Sequence, residues 1–243
     1  MAKAASTPNT RVWLDQYDIT GFLNAGSQEI TQEALVATAL SDAGPRRVVG
    51  GYDHKDGHTA MFDGVAAQID AILDGLLGDD DDHYLCRAWG ANAENSVAYS
   101  SIVKLVQRPH RTASGQLIIM ETQLEGGGGM ARGLVLGNAT VTGTGARTGR
   151  NQGATTAGQT YQAVVRVLSG TFTSITIRIQ ESQNDGGADP YADIAGMTTT
   201  LTVAGVTRLT TTAATEAWKR ANVQAFTGTN AVIIVTGGLV TGT

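Results

Sequence analysis

The order of apolar and polar residues along the chain predicts a series of short strands. Residues 175–180 alternate Ile with Thr, Arg and Gln, which is typical of a strand that buries one face. The segment "SQEITQEALVATAL" favours extended structure, although its Ala and Leu content is also compatible with a helix. Further strand-like segments are "RVWL", "HYLCRAW", "SVAYSSIVKLVQR", "GQLIIMETQLE", "RGLVLG", "YQAVVRVLSG", "YADIAGMT", "TLTVAGVTRLTT", "AWKRANVQAF" and "NAVIIVTGG".

One segment, "VAAQIDAILDGLLG", has a helical pattern instead. Its apolar residues recur at intervals of three and four, so they fall on one face of a helix. Asp63 is suited to cap the start of this helix, and Gly78 is suited to end it. The residues of the predicted apolar face are Val65, Ile69, Ile72, Leu73 and Leu76.

Two segments interrupt these patterns. Residues 41–58 contain Pro45 and four glycines, so they predict a long exposed loop. Residues 138–159 consist almost entirely of Gly, Thr, Ala and polar residues, which predicts a linker. The chain is therefore predicted to be mainly β. It would have an N-terminal arm (1–8), a β-sandwich or barrel domain with one helix (9–137), and a C-terminal antiparallel β-sandwich (160–243).

The composition agrees with this class. Aromatic residues make up 5% and charged residues 16% of the 243 residues, and 31 residues are Gly, which favours strands and turns. Cys86 is the only cysteine, so neither an internal disulfide nor a thiol zinc site can form. The first ten residues lack the apolar segment of a secretory signal, and no apolar run has the length of a membrane span. We therefore expect a protein made in a reducing cytoplasm.

The net charge of -5 is unevenly distributed. Residues 139–243 contain seven Lys and Arg against five Asp and Glu, whereas the residues before them contain ten against seventeen. The first part is thus acidic, which argues against binding of the phosphate backbone there.

The acidic segment "IRIQESQNDGGADPYADIAGM" raises the question of a calcium site. If Gly186 takes the place of the EF-hand glycine, Ala192 falls where the bidentate Glu is required. The repeat-type calcium motif needs a third glycine where Asp189 stands. The flanking strand patterns instead predict the tip of a hairpin.

Other candidate sites also favour structural interpretations. The run 79–82 of four aspartates precedes His83, but adjacent carboxylates repel each other, so we interpret it as a solvated turn. His54 and His58 have the spacing of a helical zinc site, yet a glycine lies between them and Lys55 replaces the catalytic Glu. "GTGARTG" has Thr148 where a dinucleotide-binding motif needs its third glycine. We find no catalytic constellation and predict no enzyme activity, metal or cofactor.

Four segments stand in an order that points to a known family. They are "RVWLDQYDITGFLNAGSQEITQEALVATAL", "DHKDGHTAMFDGVAAQIDAILDGLLG", "QLEGGGGMARGLVLG", and a sandwich marked by "IRIQES", "YADIAG", "RL" and "WKR". This order resembles the major tail (tail tube) proteins of long, non-contractile-tailed bacteriophages that carry an appended C-terminal β-sandwich. The aspartate run and His83 depart from the family pattern.

The resemblance implies a non-enzymatic structural protein. Family members stack as hexameric rings whose inner sheets form a continuous β-barrel lumen for the genome and the tape-measure protein. The long loop and the N-terminal arm would bridge successive rings, and the sandwich would project outward. An acidic first domain agrees with this function, because it would repel DNA and let it slide.

These implications set the expected sites and partners. Loop position suggests contacts between rings for Arg46, Arg47, His54, Lys55 and Asp56, and a lumen or subunit interface for Asp79, Asp80, Asp81 and Asp82. The expected partners are further copies of the chain and the tape-measure, tail terminator and tail-tip proteins. Genome DNA would pass without specific binding, and no membrane partner is expected. The protein would reside in the virion tail after assembly in the host bacterial cytoplasm.

Two other functions fit parts of the sequence. The sandwich also occurs on head decoration proteins and other virion components. A host-surface carbohydrate-binding module would use an exposed aromatic platform, for which the second domain offers Tyr161, Tyr191 and Trp218.

Overall fold

A computed structural model describes residues 10–36, 47–61, 69–90, 94–111, 119–127 and 129–241. This part of the chain is mainly β, as predicted, and contains a single α-helix. Its helices are a 3-10 turn (Thr20–Phe22) and α1 (Ile69–Asp74). Its strands are β1 (Thr10–Leu14), β2 (Tyr17–Asp18), β3 (Leu23–Val36), β4 (Arg47–Met61), β5 (His83–Trp89), β6 (Val97–Gln107), β7 (His110–Arg111), β8 (Ile119–Gly127), β9 (Met130–Val141), β10 (Gly145–Ala146), β11 (Arg150–Asn151), β12 (Tyr161–Ser182), β13 (Ala192–Leu201), β14 (Gly205–Thr211) and β15 (Trp218–Thr241).

The chain folds into two compact units. Unit 1 comprises the described residues up to Thr20, Tyr84–Ser101 and Ala131–Thr241, and unit 2 comprises the described parts of Gly21–His83 and Ile102–Met130. The predicted first domain contributes residues to both units. Its division from a second domain at residues 138–159 stays a prediction.

Unit 1 is built around two long strands. β12 and β15 pair antiparallel from Tyr161 opposite Leu239 to Ser182 opposite Trp218. β14 pairs with the first half of β12, and β13 pairs with its second half. Several register shifts interrupt the β12–β15 pairing between residues 167 and 174. Such bulges bend a strand and increase its twist locally.

An apolar core is formed by residues from both halves of the β12–β15 ribbon. Ile175, Ile177 and Ile179 are fully buried, which confirms the predicted buried face of this strand. They pack in one cluster with Val165 and Val167 from the other half of β12 and with residues of β13, β14 and β15. Each fully buried side chain of this size contributes about 1.5–3 kcal/mol relative to an exposed one.

The predicted hairpin tip is confirmed by the pairing of β12 with β13 on either side of it. Ser182 organises the turn, because its hydroxyl donates to the carbonyl of Asp189 (2.7 Å) and accepts from the amide of Gly186 (2.8 Å). Asp185 and Gly186 both have positive φ, at 61° and 76°. The acidic and glycine residues of this segment therefore form a turn.

The glycine-rich residues 138–159 are held to unit 1 by hydrogen bonds. β9 extends into them, and β10 and β11 both pair with β15. Glu94 also accepts hydrogen bonds from Arg147 Nε at 2.8 Å and from Arg150 Nη2 at 3.5 Å. Strand pairing uses backbone groups, so this segment orders without apolar side chains of its own.

Unit 2 contains a sheet in the order β3, β4, β8 and β6, in which β7 also pairs with β8. β4 begins at Arg47, so the prediction of an exposed loop is wrong for residues 47–58. The glycines suggested a loop, but one of them fits the strand through close packing. A Cβ atom on Gly57 would lie 2.9 Å from the Ser27 hydroxyl of the neighbouring strand.

Among the described residues, the predicted helix is present from Ile69 to Asp74. Its predicted end at Gly78 is wrong, because residues 75–78 form a turn in which Leu77 bridges to Leu105. α1 begins at Ile69, and Ile69, Leu73 and Leu76 are buried, which confirms this part of the apolar face. Asp63 and Val65 lie outside the described residues. Arg108 fixes α1 through ion pairs with Asp70 at 2.8 Å and Asp74 at 2.5 Å.

Candidate assembly surface

The sheet of unit 2 has a buried face and a polar face, because side chains of a strand alternate. Along β4, His54, Asp56 and His58 are buried, whereas Lys55 between them is exposed. β8 follows the same rule: Met120, Thr122 and Leu124 are buried, and the intervening Glu121, Gln123 and Glu125 are partly exposed. A depression of about 490 Å³ on the polar face is lined by residues of β3, β4, β6 and β8 and by Pro109.

Among the side chains that the structure describes on the polar face, carboxylates outnumber ammonium groups. Lys55 pairs with Glu125 at 3.2 Å, and the hydrogen bond and charge of Glu125 raise the pKa of Lys55. Lys104 lies opposite Glu125 on β6. Compared with these two ammonium groups, the described side chains of the face include four carboxylates, which belong to Glu29, Asp53, Glu121 and Glu125. Such a surface repels the phosphate backbone of a nucleic acid.

Polar side chains occupy the buried face beneath it. Gln28 Nε2 donates to Asp56 Oδ2 at 3.2 Å, and His58 Nε2 lies 3.8 Å from Asp56 Oδ1. Burial lowers the pKa of His54, while the charge of Asp53 and a hydrogen bond to the Gly126 backbone act in the opposite direction. His54 Nε2 has no hydrogen-bond partner among the described residues.

The imidazole of His54 fits against β8 only because residue 126 is a glycine. A Cβ atom on Gly126 would come closer than 3.0 Å to the imidazole of His54 and to the carbonyl oxygen of Ile102. The backbone of β8 therefore approaches the ring as only glycine allows.

The two edges of this sheet differ. In the described residues β3 pairs only with β4, so its outer edge is open, and Ile30 on it is 48% exposed. The opposite side of the sheet is not open, because β6 pairs with β5, β8 and β9 and Leu77 forms a parallel bridge with its Leu105. Leu77 is 50% and Val106 is 43% exposed there. Apolar side chains are thus in contact with solvent both at the open β3 edge and beside β6.

The aspartate run lies beside β6. Asp79, Asp80, Asp81 and Asp82 are all exposed, as expected of a solvated turn. Lys104 Nζ donates to the carbonyl oxygens of Asp80 and Asp81, the latter at 2.5 Å. The Asp81 amide donates to Asp79 Oδ1 at 2.9 Å, which closes the turn.

The predicted ring-contact residues have different environments. Arg46 lies outside the described residues, and Arg47 is the first residue of β4. His54 and Asp56 are 4% and 0% exposed, whereas the side chain of Lys55 is 46% exposed. Contacts between rings through these residues stay a prediction, as does the lumen or subunit interface at residues 79–82. The sequence did not reveal the alternation of β4, because its buried positions hold polar residues and the strand contains several glycines.

The aromatic residues considered for a carbohydrate platform are mostly covered. Tyr161 is 1% exposed, and its hydroxyl donates to Gln152 Oε1 at 3.0 Å. Tyr191 is partly buried beneath the guanidinium of Arg220, which lies 3.9 Å from the ring centroid. Trp218 is also partly buried. These side chains do not form a flat exposed aromatic surface.

Across the described ranges, no three His, Cys, Asp or Glu side chains are grouped so that they could hold a metal ion. Nor does any helix in these ranges have the length and apolar character needed to span a membrane.

Comparisons with known proteins give weak structural similarities. No family model and no curated protein matches the chain. A solved chain of the virion of a native gene transfer agent particle is similar at 12% identity and a TM-score of 0.43, over 53% of this chain and 98% of that one. The SPP1 tail tube is similar at 12% identity and a TM-score of 0.41, over 51% and 76%. The SPP1 Dit protein, described as part of a hub adsorption apparatus, covers 95% of this chain and 98% of its own at 10% identity and a TM-score of 0.37.

Proposed function

We propose that this protein is a structural subunit of a bacteriophage tail tube and assembles as stacked homo-oligomeric rings. The observation that carries the proposal is the sheet of unit 2, which combines a polar face rich in carboxylates with an open β3 edge and with exposed apolar side chains beside β6. The order of sequence segments that resembles major tail proteins supports the same function.

The polar face suits the lumen of a tube. DNA that passes through a conduit must not adhere to its wall, and a surface with more carboxylates than ammonium groups repels phosphates. The paired charges of Lys55 and Glu125 also keep this wall hydrated, since both side chains remain partly exposed. In this function genome DNA is a passing cargo.

The open β3 edge and the exposed apolar side chains beside β6 suit closure of a ring. An open strand edge presents unpaired backbone groups, and natural proteins rarely leave such an edge uncovered. Contact between the open β3 edge of one copy and the exposed Leu77 and Val106 beside β6 of the next would be head-to-tail, and repeated head-to-tail contacts close into a ring when the rotation permits. Ile30 at the open edge and Leu77 and Val106 beside β6 would be buried by this contact.

The roles of the domains, the stacking of rings, the partners and the location are proposed from the resemblance to major tail proteins. Residues 9–137 would form the tube domain, and residues 160–243 would project outward. Rings would stack through the segment that includes Arg46 and Arg47. The tape-measure protein would lie in the lumen, and tail terminator and tail-tip proteins would cap the ends. Assembly would take place in the host bacterial cytoplasm, and the product would reside in the virion tail.

Electron microscopy of the purified protein tests ring formation. We expect rings or short tubes from the unmodified chain and only folded monomers from Leu77→Glu, because a buried unpaired carboxylate at the contact is costly. Val203→Glu is a matched control, since Val203 is 69% exposed in unit 1 and is part of neither contact surface. Monomers that never form rings, or labelling of the capsid and not the tail in virions, would contradict the proposal.

A further inference from the structure

One surface of unit 1 carries an ordered network of polar side chains. It lies on the second half of β12 and its neighbours β13 and β15. The alternate residues Ile177 and Ile179 point into the core, so Arg178 and Gln180 lie on the outer side. Gln180 is opposite Asp193 on β13 and opposite Arg220 on β15, which places all three side chains in one row across the sheet.

Hydrogen bonds connect this row into a chain. Arg178 Nη1 donates to Asp193 Oδ2, and Gln180 Nε2 donates to Asp193 Oδ1 at 2.8 Å. Arg220 Nε donates to Gln180 Oε1 at 2.9 Å. The hydrogen bonds from Gln180 and Arg178 lower the pKa of Asp193, so this carboxylate is ionised at neutral pH. Each side chain in the row is thus held by its neighbour.

The hairpin tip anchors one end of the network. The guanidinium of Arg220 stacks on Tyr191, whose hydroxyl donates to Asp185 Oδ1 at 2.7 Å. A Cβ atom on Gly186 would lie 2.9 Å from the Tyr191 ring, so the turn packs directly against it. The tip therefore orients Arg220 rather than standing free in solvent.

An exposed surface does not need such a network for stability. Exposed ion pairs contribute little to folding, because water satisfies the same groups and long side chains lose rotamer freedom when they are held. Side chains ordered in advance do lower the entropic cost of binding a ligand. The side chain of Arg178 is 32% exposed and that of Asp193 is 38% exposed. Both side chains are therefore accessible to a ligand, although their hydrogen bonds hold them in place.

The chemistry of the row defines the ligand. The guanidinium groups of Arg178 and Arg220 are balanced in charge by the carboxylates of Asp193 and of Asp185 at the anchored end of the network, so the surface gives little attraction to a polyanion. It offers planar donors and acceptors side by side, which is what a ligand with many hydroxyl groups can use, since each hydroxyl both donates and accepts. Arg220 covers Tyr191, so recognition would be by hydrogen bonds and not by stacking on an open ring.

We propose that the outer face of unit 1 formed by Arg178, Gln180, Asp193 and Arg220 is a binding site for a neutral glycan. The site concerns unit 1 alone and does not depend on ring assembly. Glycan binding by a chain that forms no rings would therefore support the binding site while contradicting the tube function.

The full chain, fluorescently labelled, is tested on an array of neutral oligosaccharides containing glucose, galactose and N-acetylglucosamine, with heparin as a polyanionic probe. The strongest neutral hit is then titrated by calorimetry. Gln180→Ala should lower its affinity at least tenfold, because Gln180 links Asp193 to Arg220. Gln180→Glu, which keeps the side-chain length, should also lower the affinity at least tenfold. Circular dichroism checks that both variants fold.

Gln183→Ala is the matched control. Gln183 is an exposed residue of the hairpin tip that contacts Glu216 and lies outside the row, so its loss should leave affinity unchanged. The proposal is overturned by absence of binding to every neutral glycan at about 1 mM. It is equally overturned by binding that Gln180→Ala leaves intact, by binding of heparin alone, or by self-association of the chain through this face.

Discussion

Replacement of Gly126 by Ala tests whether the His54 environment holds unit 2 together. The added methyl group would come closer than 3.0 Å to the His54 ring and to the carbonyl oxygen of Ile102. The carbonyl belongs to the backbone of β6 and cannot rotate away. The ring is buried and bonded to the Gly126 backbone, so it can move only by giving up that hydrogen bond.

The expected cost combines three contributions. Overpacking of a filled interior costs about 1–3 kcal/mol. Loss of the ring's hydrogen bond costs about 1 kcal/mol, and the smaller entropy of the unfolded Ala chain returns about 0.4–1 kcal/mol. We therefore expect Gly126→Ala to lower the free energy of unfolding of unit 2 by about 1–3 kcal/mol.

Amide hydrogen exchange of β4 and β8 measures this change locally. Tryptophan fluorescence would not, because Trp13, Trp89 and Trp218 all belong to unit 1. Gly143→Ala is the control, since a Cβ atom there would meet no atom within 4 Å. Combining Gly126→Ala with His54→Ala should recover about 1 kcal/mol relative to the sum of the single changes. A Gly126→Ala protein within about 0.5 kcal/mol of the unmodified one would refute the reasoning.

Two further predictions concern pH and the core of unit 1. Burial lowers the pKa of His54 below 6.5, so the unfolded chain takes up a proton first as the pH falls. The free energy of unfolding should therefore decline below about pH 6.5. Urea unfolding curves at pH 7.5 and 5.5 should show a weaker decline for His54→Gln. An unchanged pH dependence in this variant would contradict the role of His54. Ile177→Ala should destabilise unit 1 by about 2–5 kcal/mol, because Ile177 is fully buried, whereas Thr176→Ala on the outer face should cost far less in the same thermal unfolding measurement.

The strands were largely predictable from the sequence. β5 coincides with the predicted "HYLCRAW", and the alternation at 175–180 identified the buried face of β12. These predictions succeed because alternation follows directly from strand geometry and needs no knowledge of neighbouring segments. The hairpin tip was predictable for a similar reason, since its glycines and polar residues form a local turn.

The environment of β4 was not predictable in the same way. Its glycines and charged residues suggested a loop, yet His54 and Asp56 are buried within a sheet. The reason for glycine at positions 57 and 126 is visible only in the structure, where side chains of neighbouring strands leave no room for a Cβ atom. The row from Arg178 to Arg220 likewise joins residues more than forty positions apart, and the register of three strands brings them together.

The sequence by itself therefore determined the class of fold, the positions of most strands and the turn at 183–191, because each depends on local periodicity and turn chemistry. Only the tertiary structure decided which polar residues are buried, which edges of the sheet stay open and which side chains meet on the outer face. Those properties depend on pairing between distant strands, where a shift of one residue would exchange the two faces of a strand.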